Sequence, residues 1–77
     1  MKINLLFFGV LTDVVGQNKI ELEEMQDLQS VKQYVMKEFP KVMEYSHIIS
    51  VNREIIGDNK DLQDGDEVAF LPPFTGG

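Results

Sequence analysis

A chain of 77 residues, 43% of them apolar, has room for one domain and one small core. It contains no cysteine, so no disulfide, thiolate metal site or iron–sulfur cluster staples that core. Any sulfur the protein handles must therefore be carried elsewhere than on a cysteine side chain. The net charge of −6, from 13 acidic against 7 basic residues, opposes the counterion release that drives nucleic-acid binding, so no DNA or RNA partner is expected. The apolar run Leu5-Leu6-Phe7-Phe8-Gly9-Val10-Leu11 is far too short to span a membrane, and Met1-Lys2-Ile3-Asn4 lacks the features of a signal peptide. A cytoplasmic protein with no membrane partner is expected.

Ile3 to Phe8 is nearly continuous in apolar residues suited to a pleated surface, which predicts a central strand buried on both faces. Gly16-Gln17-Asn18 marks a turn, and the alternation in Lys19-Ile20-Glu21-Leu22 predicts a second strand, antiparallel to the first. Ser30 followed by Gln33 resembles a capping box, and Val31, Tyr34, Val35 and Phe39 recur at helical spacing until Pro40. One main helix over 31–39 is predicted. Tyr45 to Val51 returns to strand composition, Asn52-Arg53 reads as a tight turn, and Glu54-Ile55-Ile56-Gly57 as a short answering strand. After the polar loop Asp58-Asn59-Lys60-Asp61, Glu67-Val68-Ala69-Phe70-Leu71 reads as a last strand, central beside the first. The predicted order is ββαβββ: an α+β fold whose mixed sheet of about five strands is crossed by one main helix. With the right-handed crossover rule, this is the ubiquitin-like β-grasp arrangement.

Beyond the last strand come Leu71-Pro72-Pro73-Phe74-Thr75-Gly76-Gly77. Two glycines without Cβ atoms make the narrowest possible peptide, able to enter a channel that any side chain would block. Pro72 and Pro73 favour an extended spacer, so residues 72–77 form a predicted flexible tail that reaches about 20 Å at roughly 3.3 Å per residue. The single expected domain is thus 1–77, with 72–77 as its tail. A tail of this kind suits the delivery of a carboxylate. Phe74, beyond the last strand, is expected to anchor the tail at a partner surface.

Asp64-Gly65-Asp66-Glu67-Val68-Ala69-Phe70-Leu71-Pro72-Pro73-Phe74-Thr75-Gly76-Gly77 resembles the end of the molybdopterin synthase small subunit, the MoaD-type sulfur carrier. Leu6-Phe7-Phe8-Gly9-Val10-Leu11 and Val51-Asn52-Arg53-Glu54-Ile55 resemble their counterparts in the same order, while Met25 to Ser46 is the least distinctive stretch. Phe74 departs from the smaller aliphatic residue common in that family, and Thr12-Asp13 from its more basic pattern. The resemblance implies a sulfur carrier of molybdenum cofactor biosynthesis whose reactive group is the Gly77 carboxylate. A ubiquitin-activating-like adenylyltransferase and sulfurtransferase would use ATP to convert it to a glycyl adenylate, and a sulfur donor would displace AMP to leave a thiocarboxylate, 1-thioglycine. Pro72, Pro73, Phe74, Thr75 and Gly76 would then thread into the large subunit of molybdopterin synthase. There the sulfur would attack a cyclic pyranopterin phosphate to build the dithiolene, with two carriers consumed per pterin. The implied assembly is a heterotetramer of two small and two large subunits. This chain would be its non-catalytic, sulfur-donating part, the active site lying in the large subunit, with no cofactor or metal of its own.

Phe7, Phe8, Phe70 and Phe74 are candidates for the partner interface, although aromatics on central strands also serve as ordinary core. His47, the only histidine, has no partners at metal or catalytic spacing and reads as structural. Glu21, Glu23, Glu24 and Asp27 read as a solvated acidic face, with electrostatic steering of a basic partner as the alternative. Asp58, Asp61, Asp64, Asp66 and Glu67 break the EF-hand alternation, and Asp64-Gly65-Asp66 reads as turn chemistry. Three alternatives stay open: the related sulfur carrier of thiamine biosynthesis, a non-covalent β-grasp adaptor, and conjugation to protein lysines.

Overall fold

The computed structural model describes residues 2–73. Five strands form one mixed sheet: β1 (Lys2–Phe7), β2 (Lys19–Glu23), β3 (Ile48–Val51), β4 (Glu54–Ile55) and β5 (Glu67–Leu71), in the order β2-β1-β5-β3-β4. β1 pairs antiparallel with β2 and parallel with β5, and β5 pairs antiparallel with β3. Helix α2 (Leu28–Glu38) crosses one face, as expected of a β-grasp. No helix among the described residues is long and apolar enough to cross a membrane.

A short helix, α1 (Val10–Val15), lies between β1 and β2 and was not predicted. β-branched residues dominate it and are weak helix formers. Two glycines with positive φ bound the turn: Gly9 before it, and Gly16, whose N–H donates to the Thr12 carbonyl at 2.8 Å. Leu11, fully buried, ties the turn to the core. Tertiary packing here overrides local preference.

The main helix starts earlier than predicted. Its N-cap is Asp27, not Ser30: the Asp27 carboxylate accepts from the Ser30 N–H at 2.9 Å and from the Ser30 hydroxyl at 2.7 Å. A charged acceptor three residues upstream outcompetes the serine for the capping position and adds a turn of helix. Leu28, Val31 and Val35 form the buried stripe, and Phe39 ends the helix before a 3-10 turn over Pro40–Glu44. That turn occupies the chain until Tyr45, so β3 begins at Ile48 and not at Tyr45 as predicted.

β1 is not buried on both faces. Ile3, Leu5 and Phe7 are buried against α2, whereas Asn4 and Leu6 on the other face are half-buried. Both helices and the 3-10 turn contribute buried residues to a single core, so the strand alternates instead of being covered twice. The core joins Val68 and Phe70 of β5, Ile49 and Val51 of β3, and Leu22 of β2 to the helical residues Leu11, Leu28, Val31, Val35 and Val42.

Asn52 and Arg53 form the predicted tight turn, both with positive φ. Asn52 also fastens the start of β5. Its backbone N–H donates to the Glu67 carbonyl at 2.7 Å, its side-chain oxygen accepts from the Glu67 N–H at 3.0 Å, and its amide nitrogen donates to Asp66 at 2.9 Å. That last bond is the main reason the Asp66 carboxyl titrates below the ordinary carboxylate range, followed by a bond from the Gln63 N–H. A carboxyl lowered in the folded state stabilises the fold above its unfolded pKa, and the contribution is lost as pH falls through the folded pKa. Asn52→Ala should therefore lower stability at neutral pH, by no more than about 1 kcal/mol because these bonds are exposed and screened by solvent. It should also narrow the difference between the wild-type and variant stabilities in acid, as urea titrations at neutral and acidic pH would reveal. Equal losses at both pH values would contradict the Asn52–Asp66 coupling.

Candidate functional site

β5 runs up the middle of the sheet, with Phe70 opposite Phe7 on one side and Leu71 opposite Ile48 on the other. The chain therefore leaves the sheet from its centre. Pro72 cannot donate a ladder hydrogen bond, so pairing stops at Leu71. Pro72 is half-buried over Gly9 and Pro73 is exposed. Gly9 has φ of +59° and ψ of −138°, and a Cβ there would come within 2.8 Å of the Pro72 ring. The missing side chain lets the departing segment lie directly on the β1–α1 connection. Phe74, Thr75, Gly76 and Gly77 lie outside the described residues.

The phenylalanines divide sharply. Phe7 and Phe70 are 1% and 0% exposed, with ring centroids 5.6 Å apart, and Phe39 packs edge-on to Phe7 at 6.0 Å. Their candidacy as interface residues is corrected: both point to the helical side of the sheet and belong to the core. Phe8, the next residue after β1, is 45% exposed. With Phe74 outside the described residues, Phe8 is the one candidate that the geometry leaves free for a partner.

Phe8 does not stand alone. Leu6 pairs with Ala69, Ala69 with Ser50 and Ser50 with Ile55, placing these four in one row across the open face, and Ile48 with Leu71 fills the next row. Together with Phe8 they line a shallow apolar concavity rimmed by Arg53 and Glu67, at the end of the sheet where β5 gives way to Pro72. The open face away from this patch is polar, carrying Lys2, Asn4, Glu21 and Glu23. Leu6, Ile48, Ile55, Ala69 and Leu71 were not among the predicted site residues. Their signal was the alternate register of each strand.

The remaining candidates make local contacts or face solvent. His47 is half-buried, with Nδ1 at 2.8 Å from the Tyr45 carbonyl and its ring 5.3 Å from that of Phe70. Among the described residues no group of three or more histidine, aspartate or glutamate side chains is placed to hold a metal ion. Glu21, Glu23 and Glu24 are exposed, while Asp27 caps α2. Hydrogen bonds from the Ser30 hydroxyl, Asn59 and the Ser30 N–H hold the Asp27 carboxyl below the usual carboxylate range. Asp66 accepts from the Gln63 N–H at 2.9 Å, the turn chemistry expected.

Residues 5–77 match the ThiS family model. The chain belongs to the ThiS family. Relatives of this ThiS-family chain include the molybdopterin synthase sulfur carrier subunit of Escherichia coli, 30% identical over 97% of this chain and 99% of that protein. Its counterpart in Mycobacterium tuberculosis is 28% identical over 100% of this chain and 99% of its own length. Among solved structures, a complex of subunits 1 and 2 of molybdopterin-converting factor from Helicobacter pylori contains a chain that superposes with a TM-score of 0.77 at 24% identity, covering 100% of both chains. The small archaeal modifier protein 1 of Methanosarcina acetivorans superposes with a TM-score of 0.82 at 21% identity, covering 99% of this chain and 96% of that one. At these identities the structural neighbours establish the shared β-grasp fold.

Proposed function

We propose that this chain is the sulfur carrier subunit of a molybdopterin synthase and that its reactive group is the carboxylate of Gly77. The observation that carries the reading is the family match extending through residue 77, together with relatives of that name matched over nearly their full length. These named relatives favour the molybdopterin pathway over thiamine biosynthesis.

A carboxylate is a poor electrophile because its negative charge is shared between two oxygens and oxide is a poor leaving group. In the proposed sequence an activating enzyme joins the Gly77 carboxylate to the α-phosphate of ATP, releasing pyrophosphate. Hydrosulfide supplied by the sulfur donor then adds to the acyl carbon, AMP departs with the electron pair of the C–O bond, and the S–H proton is lost to solvent. The product is a thiocarboxylate, whose sulfur is a far better nucleophile than the original oxygen. Pro72 to Gly76 carry it into the large subunit, where its sulfur bonds to carbon of the cyclic pyranopterin precursor as an oxygen leaving group departs, and water then cleaves the acyl–sulfur bond, leaving sulfur on the pterin and a carboxylate on Gly77. No side chain of this carrier takes part in bond making. Its contribution is to present the tail and to dock, and this second task falls to Phe8 and the open-face patch, with Phe74 as a further anchor. The Helicobacter pylori complex of subunits 1 and 2 supports a large-subunit partner.

Docking is tested by titrating purified large subunit with the carrier and its variants. Burying a phenylalanine ring contributes about 1.5–3 kcal/mol, and roughly 1.4 kcal/mol is tenfold in affinity. Phe8→Asp and Phe74→Asp are each expected to weaken binding by about tenfold or more. Phe8 is exposed in the free protein, so thermal unfolding of the Phe8 variant should hardly change. Unaltered affinity in both variants would contradict the docking assignment.

A further inference from the structure

The apolar surface does not end at the sheet edge. Ile48 and Ile55 line the open-face concavity and also a second groove, which runs between the β3–β4 edge and helix α2. On the helix side the groove is formed by Lys32 and Met36, and on its floor by Met43 and Ile56. Met36 is 56% exposed and Ile55 is 65% exposed, two large apolar side chains left uncovered on opposite walls. Scattered exposed apolar residues are normal, but here they are joined by continuous lining and lead directly into the patch assigned to docking.

The charge of this groove is opposite to that of the chain as a whole. The chain carries 13 acidic residues against 7 basic ones, yet among the described residues no carboxylate lines the groove. Its titratable residues are Lys32 and His47. An occupant that meets Lys32 with a carboxylate gains an ion pair there, while a basic segment meets no opposite charge. The two methionines are unbranched and polarisable, so the walls can adapt to side chains of varied shape.

We infer that the groove receives a segment of the large subunit carrying apolar side chains and at least one carboxylate, extending the open-face interface round the β3–β4 edge. The inference rests on the docking role given above. A large subunit seated on Leu6, Phe8 and Ala69 already covers Ile48 and Ile55, and these same two residues form one wall of the groove. The occupant therefore belongs to the body that covers the patch, with no second partner required.

Met36→Asp and Lys32→Glu test the groove, and Phe8→Asp, which lies on the open face and not in the groove, tests the underlying reading. Each is titrated with purified large subunit at low and high salt, with thermal unfolding measured alongside. Met36→Asp is expected to weaken binding by about tenfold, in the manner of a truncated interface anchor. Lys32→Glu is expected to slow association and to reduce its salt dependence. Loss of affinity in Phe8→Asp with unchanged binding in both groove variants overturns the groove assignment alone. Unchanged binding in all three variants overturns the groove and the docking reading together. A groove variant that loses affinity only in proportion to its unfolded fraction also overturns the groove assignment.

Discussion

Phe70→Ala is expected to lower the unfolding free energy by about 3–5 kcal/mol, a large share of the 5–15 kcal/mol that holds a typical domain together. Phe70 is fully buried, and its ring contacts that of Phe7 at 5.6 Å and that of His47 at 5.3 Å. Deleting it removes a transfer contribution, leaves a cavity between β5 and α2, and takes away a partner from each neighbouring ring. The chain has no disulfide to limit the consequence. Phe8→Ala supplies the contrast, because Phe8 is 45% exposed and should change stability by no more than about 0.5 kcal/mol. Urea denaturation of the two variants checks the assignment of core and surface. Similar losses in both would mean that the open face is not open.

Adding a single alanine after Gly77 is expected to abolish sulfur transfer altogether. The proposed nucleophile is a thiocarboxylate on a peptide without side chains, and the extension both adds a Cβ at the tip and moves the acyl carbon one residue further on. Positioning errors of about 1 Å can cost a factor of roughly one hundred, and one residue is about 3.3 Å of extended chain. The fold should be untouched, since β5 ends at Leu71 and the addition lies beyond it. Transfer to precursor by the reconstituted synthase, measured beside the unextended chain, gives the answer. Undiminished transfer by a chain that has not been trimmed would remove the terminal-acyl mechanism.

Much of the fold was legible where local pattern and tertiary environment agree. Lys19 to Leu22 alternates and is an amphipathic strand; Glu67 to Leu71 is apolar and lies centrally beside β1. Local pattern failed where distant contacts decide. Val10, Val14 and Val15 disfavour a helix, yet burial of Leu11 and the two flanking glycines impose one. Ser30 and Asp27 are both good caps, and the choice went to the one whose carboxylate also meets Asn59, 32 residues away. Phe7 and Phe8 are indistinguishable by composition. Their fates diverge because α2 covers one side of the sheet, a fact about topology that neither residue encodes alone. The tail residues Phe74 to Gly77 lie outside the described residues, and their role rests on residue type and the family match. The open-face patch was not legible in the sequence, since Leu6, Ala69, Ser50 and Ile55 are brought together only by strand register.

The central claim is that Gly77 itself carries the sulfur. Intact mass spectrometry of the unextended and alanine-extended chains, after incubation with the activating enzyme, ATP and a sulfur donor, tests it directly. The account predicts that the unextended chain gains the mass difference of one sulfur for one oxygen, with fragmentation locating the change at Gly77, while the extended chain stays unchanged. An unmodified unextended chain under conditions in which a known carrier is converted, or a mass change located on any side chain, would contradict it.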